Sequence, residues 1–404
     1  TQVKNWISQQ EQQAHRVLAI AKKVWSKKEA PALDQIIATK DHTEFVGFIA
    51  FTDPVKKTAL AAITQAQNLG IMLKVLSGDS ADVCTAVALQ LGLIQDRSAV
   101  ITGAEFERAS ALQQEQLAIS KTVFARVTPQ QKYDIIHYLQ QHYLVGYLGD
   151  GINDAPALKA AHVSMVVNDA AAVAQQAADI IMLKKNLSTI IDGIQEGRKT
   201  FLNTLKYIKI ATVANFGNFY ALAIASLMLD YLPMLPFQIL LGNLLTDLPM
   251  IGLATDEVDP QELRICARYN MKEILLTAML LGSISNIFDI AIFVLFRSYG
   301  APILQTSWFV TSILTELLLI YSLRVRGFFL TSRRPSLTLV MLTTIIAAAC
   351  LALPFTAFGQ QTLLFVPLNK THLMIIGFIA GTYFITTESV KLLYYRFTNS
   401  ARKN

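Results

Sequence analysis

Six long apolar runs dominate the second half of this 404-residue chain, at 208–229, 235–254, 273–296, 307–323, 336–357 and 372–392. Each is close to the ~20 residues that a membrane-spanning helix needs. At that length a helix is the only spanning form that satisfies its own backbone. An even number of spans puts both chain ends on one side. The loop after the fourth run carries Arg324, Arg326, Arg333 and Arg334, and the tail carries Lys391, Arg396, Arg402 and Lys403. The opposite loops offer little beyond Arg297 and Lys370. The positive-inside rule therefore predicts that residues 1–200 and the C-terminal tail are cytoplasmic.

The same runs explain the composition. Only 16% of the residues are charged and 53% are hydrophobic. Soluble domains are nearer a quarter charged, so an ordinary soluble enzyme is excluded. So are a disordered chain and a nucleic-acid binder, both of which are charge-rich. The net charge of +6 implies no acidic partner. Cys84, Cys266 and Cys350 lie far apart with no C-x-x-C, which predicts small buried hydrophobes rather than disulfides or a thiolate metal site.

Residues 1–200 alternate between two patterns. Apolar, β-rich runs fall at 45–51, 71–76, 122–127, 144–148 and 163–167, with helical patterns at 55–69, 81–91 and 130–141. Such alternation predicts a doubly wound α/β domain with a mostly parallel sheet. In such folds the chemistry sits just past the strand C-termini, and four of these runs end in polar clusters. They are Thr52-Asp53-Pro54, Ser77-Gly78-Asp79, Thr128-Pro129 with Lys132 one turn on, and Gly149-Asp150-Gly151-Ile152-Asn153-Asp154. In the last cluster a glycine turn aims Asp150 and Asp154 at one point, an oxygen-rich arrangement suited to Mg²⁺. An ordinary Asp/Asn/Gly turn gives the same letters. Ser77 brings a hydroxyl for a phosphoryl oxygen and Lys132 a cation for developing charge. Together these residues form a phosphoryl-transfer constellation.

The motifs resemble those of the P-type ATPases. Gly149-Asp150-Gly151-Ile152-Asn153-Asp154-Ala155-Pro156 looks like that family's hinge signature, and Val75-Leu76-Ser77-Gly78-Asp79 like its V-L-T-G-D. Asp53-Pro54-Val55-Lys56 resembles D-P-P-R, Thr128-Pro129-Gln130-Gln131-Lys132 resembles T-P-x-x-K, and Ala177-Ala178-Asp179 and Glu196-Gly197-Arg198 also fit. The resemblance implies a haloacid-dehalogenase-like phosphorylation domain over 31–200, followed by a six-helix transmembrane bundle over 201–395 and a tail over 396–404. Residues 1–30 then end a nucleotide-binding domain. It further implies that Asp150 binds Mg²⁺, that Asn153 and Asp154 shape the phosphorylation site, and that Ser77 and Gly78 hold the phosphoryl group, which Lys132 neutralises. Asp79 and Asp53 enter through their motifs, and Arg16 becomes a candidate ATP contact.

The family's nucleophile lies in D-K-T-G-T, and neither that motif nor the actuator loop T-G-E occurs in these residues. With Thr1 first, the expectation is the C-terminal part of a bacterial plasma-membrane pump, inactive alone. Its partners would be the missing actuator and nucleotide-binding domains and helices one to four, besides the bilayer and the transported cation. Two alternatives stay open. One is a stand-alone, non-catalytic membrane relative that binds ions or a regulatory partner, which the reading frame upstream of Thr1 would test. The other is a membrane-tethered phosphatase.

Polar residues inside spans are costly, and so are functional candidates. Asn215 and Asn218 share a helix face in the first run, as do Asn243, Thr246 and Asp247 in the second, where Pro249 frees a carbonyl. Glu316 lies in the fourth. These oxygen and amide ligands suit a hard cation, and no Cys-Pro-Cys argues for a soft one. Asp289 is expected to pair with backbone or Arg297, and Glu388 to be interfacial. Ala214-Asn215-Phe216-Gly217-Asn218 and Ser285-Asn286-Ile287-Phe288-Asp289 resemble the bacterial magnesium-transporting pumps. Asn243 through Asp247 resembles the calcium-pump pattern N-x-x-T-D.

Overall fold

The structure is a computed structural model that describes residues 2–23, 43–52 and 55–401. Asp53, one of the candidate residues, lies outside the described residues. The chain divides into two compact units, Thr1–Gly193 and Ile194–Asn404.

The first unit holds eight described strands. β1 (His15–Lys23) and β2 (Thr43–Thr52) form an antiparallel ribbon. β3 (Val75–Leu76), β4 (Val100–Thr102) and β5 (Val123–Ala125) form one parallel trio in the order β3-β5-β4. β6 (Gly146–Leu148), β7 (Val163–Val167) and β8 (Ile180–Met182) form another, in the order β6-β7-β8. The expected parallel sheet is thus present as two trios. The run at 45–51 is not part of either, because β1 offers it a register nine pairs long where β3 offers two residues. The ribbon leaves Leu18, Ile20, Phe45, Val46, Ile49 and Phe51 exposed. β1, β4 and β8 were not anticipated; β4 and β8, at three residues each, are too short to show alternation.

The helices Lys57–Asn68, Ala81–Gln90 and Pro129–Gln140 fall on the expected patterns. The last has the clearest start. Thr128 Oγ1 accepts from the Gln131 N–H at 3.2 Å, and Gln131 Oε1 accepts from the Thr128 N–H at 3.0 Å. This capping box, with Pro129 in the first turn, fixes where Lys132 leaves the helix. The same helix joins the trios. Ile135 packs with Ile101, Phe106 and Phe124, while its neighbour Ile136 packs with Tyr147, Leu158 and Val166. Leu76 and Val145 pack against both clusters.

Six described helices are long and apolar enough to cross a membrane: Leu187–Met228, Pro236–Thr255, Met271–Tyr299, Ala301–Leu323, Leu337–Phe355 and Lys370–Thr398. These are the first to sixth spans below. The fourth is the centre of the second unit: 72% of its most apolar stretch is buried, against 28–39% in the others. The first and third spans meet through glycines, as small residues allow. A Cβ on Gly282 would lie 2.8 Å from Phe216 Cδ1, and one on Gly217 would lie 3.2 Å from Ser285 Cβ.

Just past the second span, Asp256 is fully buried. Arg324 Nη2 donates to its Oδ1 at 2.9 Å and Lys206 Nζ to its Oδ2 at 2.9 Å, and the Ser336 N–H adds a third contact at 3.3 Å. The remaining Arg324 N–H groups reach the carbonyls of Arg333 and Arg334. One arginine of the basic loop is therefore an internal tie rather than a surface charge.

Glu388, near the end of the sixth span, is buried in protein, where Lys391 Nζ (2.8 Å), Ser322 Oγ (2.6 Å) and the Phe329 N–H (2.9 Å) together satisfy it. One expectation is corrected. Cys84 and Cys350 are buried as expected, but Cys266 is exposed, in the connection between the second and third spans where no core forms over it.

Candidate functional site

In the first unit the polar strand ends build two small frameworks. Asp154 is buried, and its Oδ1 accepts from Lys132 Nζ at 2.7 Å and from the Tyr147 hydroxyl at 2.8 Å. Its Oδ2 accepts from the Gly151 N–H at 3.2 Å. Burial pushes this carboxyl up, but the Lys132 and Tyr147 hydrogen bonds outweigh it, and the group is held below the usual carboxylate range. Burial, then the bond to Asp154, pushes the Tyr147 hydroxyl up, so it stays a donor. Sequence reasoning missed Tyr147. The available signal was a tyrosine at an inward strand position, whose hydroxyl needs a partner.

Asp150 behaves differently. Its carbonyl accepts from the Ala171 N–H at 3.1 Å, which fixes the turn. Its side chain is exposed and makes no hydrogen bond or ion pair among the described residues. Asn153 is exposed beside it. One engaged carboxylate and one open one suit different tasks: Asp154 orients Lys132, and Asp150 offers a free oxygen to a hard cation. Gly149 must be glycine here. A Cβ would sit 2.8 Å from Asp154 Cβ and 3.0 Å from Tyr147 Cε1. Gly149→Ala is therefore expected to displace Asp154 and lower the stability of the first unit by about 1–3 kcal/mol, the usual penalty of overpacking. An unchanged melting temperature would argue against the close fit.

The other framework is the loop after β3. The Ser77 N–H donates to the Phe124 carbonyl at 2.9 Å, which extends the β3–β5 pairing. Ser77 Oγ donates to Asp79 Oδ2 at 3.1 Å and accepts from the Asp79 N–H at 3.2 Å. Gly78, between them, is exposed, with nothing within 4 Å of a Cβ. Arg16 is exposed on β1.

In the second unit, a cavity of about 250 Å³ is lined by Asn215, Asn218, Asn243, Thr246 and Glu316 together with Trp308. Asn218 donates its amide to Glu316, and Thr246 Oγ1 donates to the carbonyls of Gly242 and Asn243 at 3.2 Å. Three separate spans thus bring five of the six candidate ion-path residues to one cavity. The sixth, Asp247, is exposed and does not line it, although it lies near Glu316.

Comparison with known proteins agrees with both halves of this description. Residues 2–162 match the haloacid dehalogenase-like hydrolases, and residues 231–393 match the family described as cation transporting ATPase, C-terminus. The magnesium-transporting ATPase, P-type 1, of Escherichia coli (strain K12) is 35% identical over 395 residues, covering 95% of this chain. The chain belongs to the P-type cation-transporting ATPases. A second magnesium-transporting ATPase, P-type 1, from Salmonella typhimurium LT2, is 32% identical over 397 residues and again covers 95% of the chain. The calcium-transporting ATPase of Bacillus subtilis (strain 168) is 32% identical over 248 residues, 61% of the chain. The chain spans 43% of the length of both magnesium-transporting relatives, and matches the C-terminal portion of the P-type ATPase family.

Proposed function

We propose that this chain is the catalytic-site and membrane portion of an ATP-driven pump that moves a hard divalent cation, Mg²⁺ ahead of Ca²⁺, through an aspartyl-phosphate cycle. The observation that carries this reading is the convergence of Asn215, Asn218, Asn243, Thr246 and Glu316, from three spans, on one otherwise largely apolar cavity. Polar groups inside spans are costly and therefore functional candidates, and the Asn218–Glu316 bond offsets only part of that cost. Magnesium is favoured over calcium because the magnesium-transporting relatives align over 95% of the chain and the Bacillus subtilis calcium pump over 61%.

In this reading Asp150 holds Mg²⁺, which supplies charge neutralisation at a transferring phosphoryl group. Ser77, Gly78 and the nearby N–H groups bind that group's oxygens, while Lys132, oriented by Asp154, draws off developing charge. Arg16 meets ATP. The nucleophilic aspartate comes from outside these 404 residues, together with the actuator domain and the first four helices. Among the described residues β3 and β6 each have a single strand neighbour, so one added strand pairing with both would make the two trios one sheet. Residues 1–30 complete the nucleotide-binding domain, 31–200 the phosphorylation domain and 201–395 the membrane bundle. The soluble part and the tail, 396–404, face the cytoplasm of a bacterial cell.

The test is Mg²⁺ and Ca²⁺ uptake, measured separately, by vesicles containing the complete pump. Glu316→Gln is expected to lower uptake at least tenfold, a loss of about 1.4 kcal/mol or more. Uptake that survives this change would remove the cavity from the ion path.

A further inference from the structure

Asp289, in the third span, is a buried carboxyl that the cavity does not use. It is 7% exposed. Trp308 Nε1 donates to its Oδ1 at 2.8 Å, whereas Oδ2 has no partner. The expected pairing with backbone or Arg297 is not found among the described residues; the indole N–H of the fourth span holds Oδ1 instead. Other buried oxygens of the spans are unpartnered as well, among them Asn286 Oδ1, one turn earlier on the same helix, Ser307 Oγ next to Trp308, and Thr387 Oγ1 in the sixth span. Ser285 lies beside Asp289, and Tyr383 beside Ser285 and Thr387. The titratable groups facing Asp289 are Glu316 from the fourth span and Tyr383 from the sixth. The first span approaches this helix through Phe216 and Gly217.

An ionised carboxylate here has no counter-charge among the described residues, and such burial costs several kcal/mol. A cation or a proton would remove that cost. A Mg²⁺ or Ca²⁺ ion takes six or more oxygens, and this cluster offers one open carboxylate oxygen, one amide oxygen and a few hydroxyls. A proton needs only one atom to ride on and one to point at. A proton on Asp289 Oδ2 turns an unpartnered acceptor into a donor, with the Ser285 hydroxyl beside the carboxyl to accept.

We propose that Asp289 is a proton-binding site joined to the cation cavity by Trp308. The indole N–H holds the carboxyl, and the same side chain lines the cavity beside Glu316. A cation entering the cavity favours the ionised carboxylate. The proton then leaves Oδ2 for water and the O–H electron pair stays on the carboxylate; departure of the cation reverses the step. The exchange rests on the cavity being the cation path, but the proton site does not.

Infrared spectroscopy of the purified 404-residue chain in lipid nanodiscs, near neutral pH, reads this proton directly as a protonated-carboxyl C=O stretch. The band is expected to disappear in Asp289→Asn and to survive in Glu316→Gln. In Trp308→Phe it is expected to move to higher frequency as the indole hydrogen bond is lost, which keeps the test open if Asp289→Asn fails to fold. A spectrum unchanged in Asp289→Asn, or a band unshifted in Trp308→Phe, overturns the proposal. Added Mg²⁺ is expected to diminish the band. A band undiminished by Mg²⁺ or Ca²⁺, in a pump whose vesicles take up either ion, overturns the exchange. Absence of uptake with the band still lost in Asp289→Asn sinks the transport reading alone.

Discussion

Asp256→Ala is expected to cost the spanning unit about 3–5 kcal/mol, because it strands a buried cation. The Arg324 side chain is 1% exposed and Lys206 11% exposed, so neither recovers its hydration when the carboxylate goes. The Ser336 N–H loses its acceptor as well. Lys206→Met should cost much less than Arg324→Met, since the lysine is nearer solvent and Arg324 alone also donates to two carbonyls of the basic loop. Chemical unfolding in detergent micelles measures both. A loss below about 1 kcal/mol for Asp256→Ala would put the tie in the class of surface pairs.

Asp154→Ala is the second large effect, and it has two readouts. In the first unit it leaves the Lys132 ammonium and the Tyr147 hydroxyl without their shared acceptor. The lysine and aspartate side chains are 13% and 11% exposed, so a loss of about 3 kcal/mol, the low end for a broken buried pair, is expected. On the function proposed above, phosphoenzyme formation by the complete pump should fall more than tenfold in this variant, because Lys132 is no longer aimed. The pH dependence has a definite sign. The folded carboxyl is held below the ordinary value of about 3.9. Its contribution is therefore full above that value and is lost as the pH falls through the lower, folded one. Wild type and variant should differ in stability near neutrality and converge under strong acid. A constant gap down to the lowest pH would show that the charge is not what stabilises.

The spans were legible because each is long enough for hydropathy to speak alone, and the structure moves their ends by a few residues, save where a helix runs on into polar sequence. The polar loops after β3 and β6, and the helix start after β5, were legible through residue type, since Ser77, Asp150 and Lys132 are conspicuous there. The partners of these residues were not. Which oxygen Lys132 meets, that Tyr147 shares it, and that Trp308 reaches Asp289 all depend on helices and strands far apart in sequence. The β1–β2 ribbon was hidden for the same reason: the apolar run at 45–51 announces a strand but not its neighbour. Asp247 shows the converse limit, where helical spacing places a residue on a face and tertiary packing then leaves it outside the cavity that the face lines.

The fourth span has a consequence for how the chain enters the bilayer. Most of its surface meets protein, and it carries Glu316, Trp308 and a ladder of hydroxyls, Thr306, Thr311 and Thr315, each bonded back one turn. Lipid alone is a poor reason for such a helix to leave water, since a mid-span carboxylate opposes insertion by a few kcal/mol. The third span, with a mean hydropathy of 2.0 against 1.5, precedes it directly, through a short turn at Gly300. The two are built to partition as a hairpin. The more apolar helix carries in the helix on which the other spans assemble, so the residues least suited to lipid need never face it.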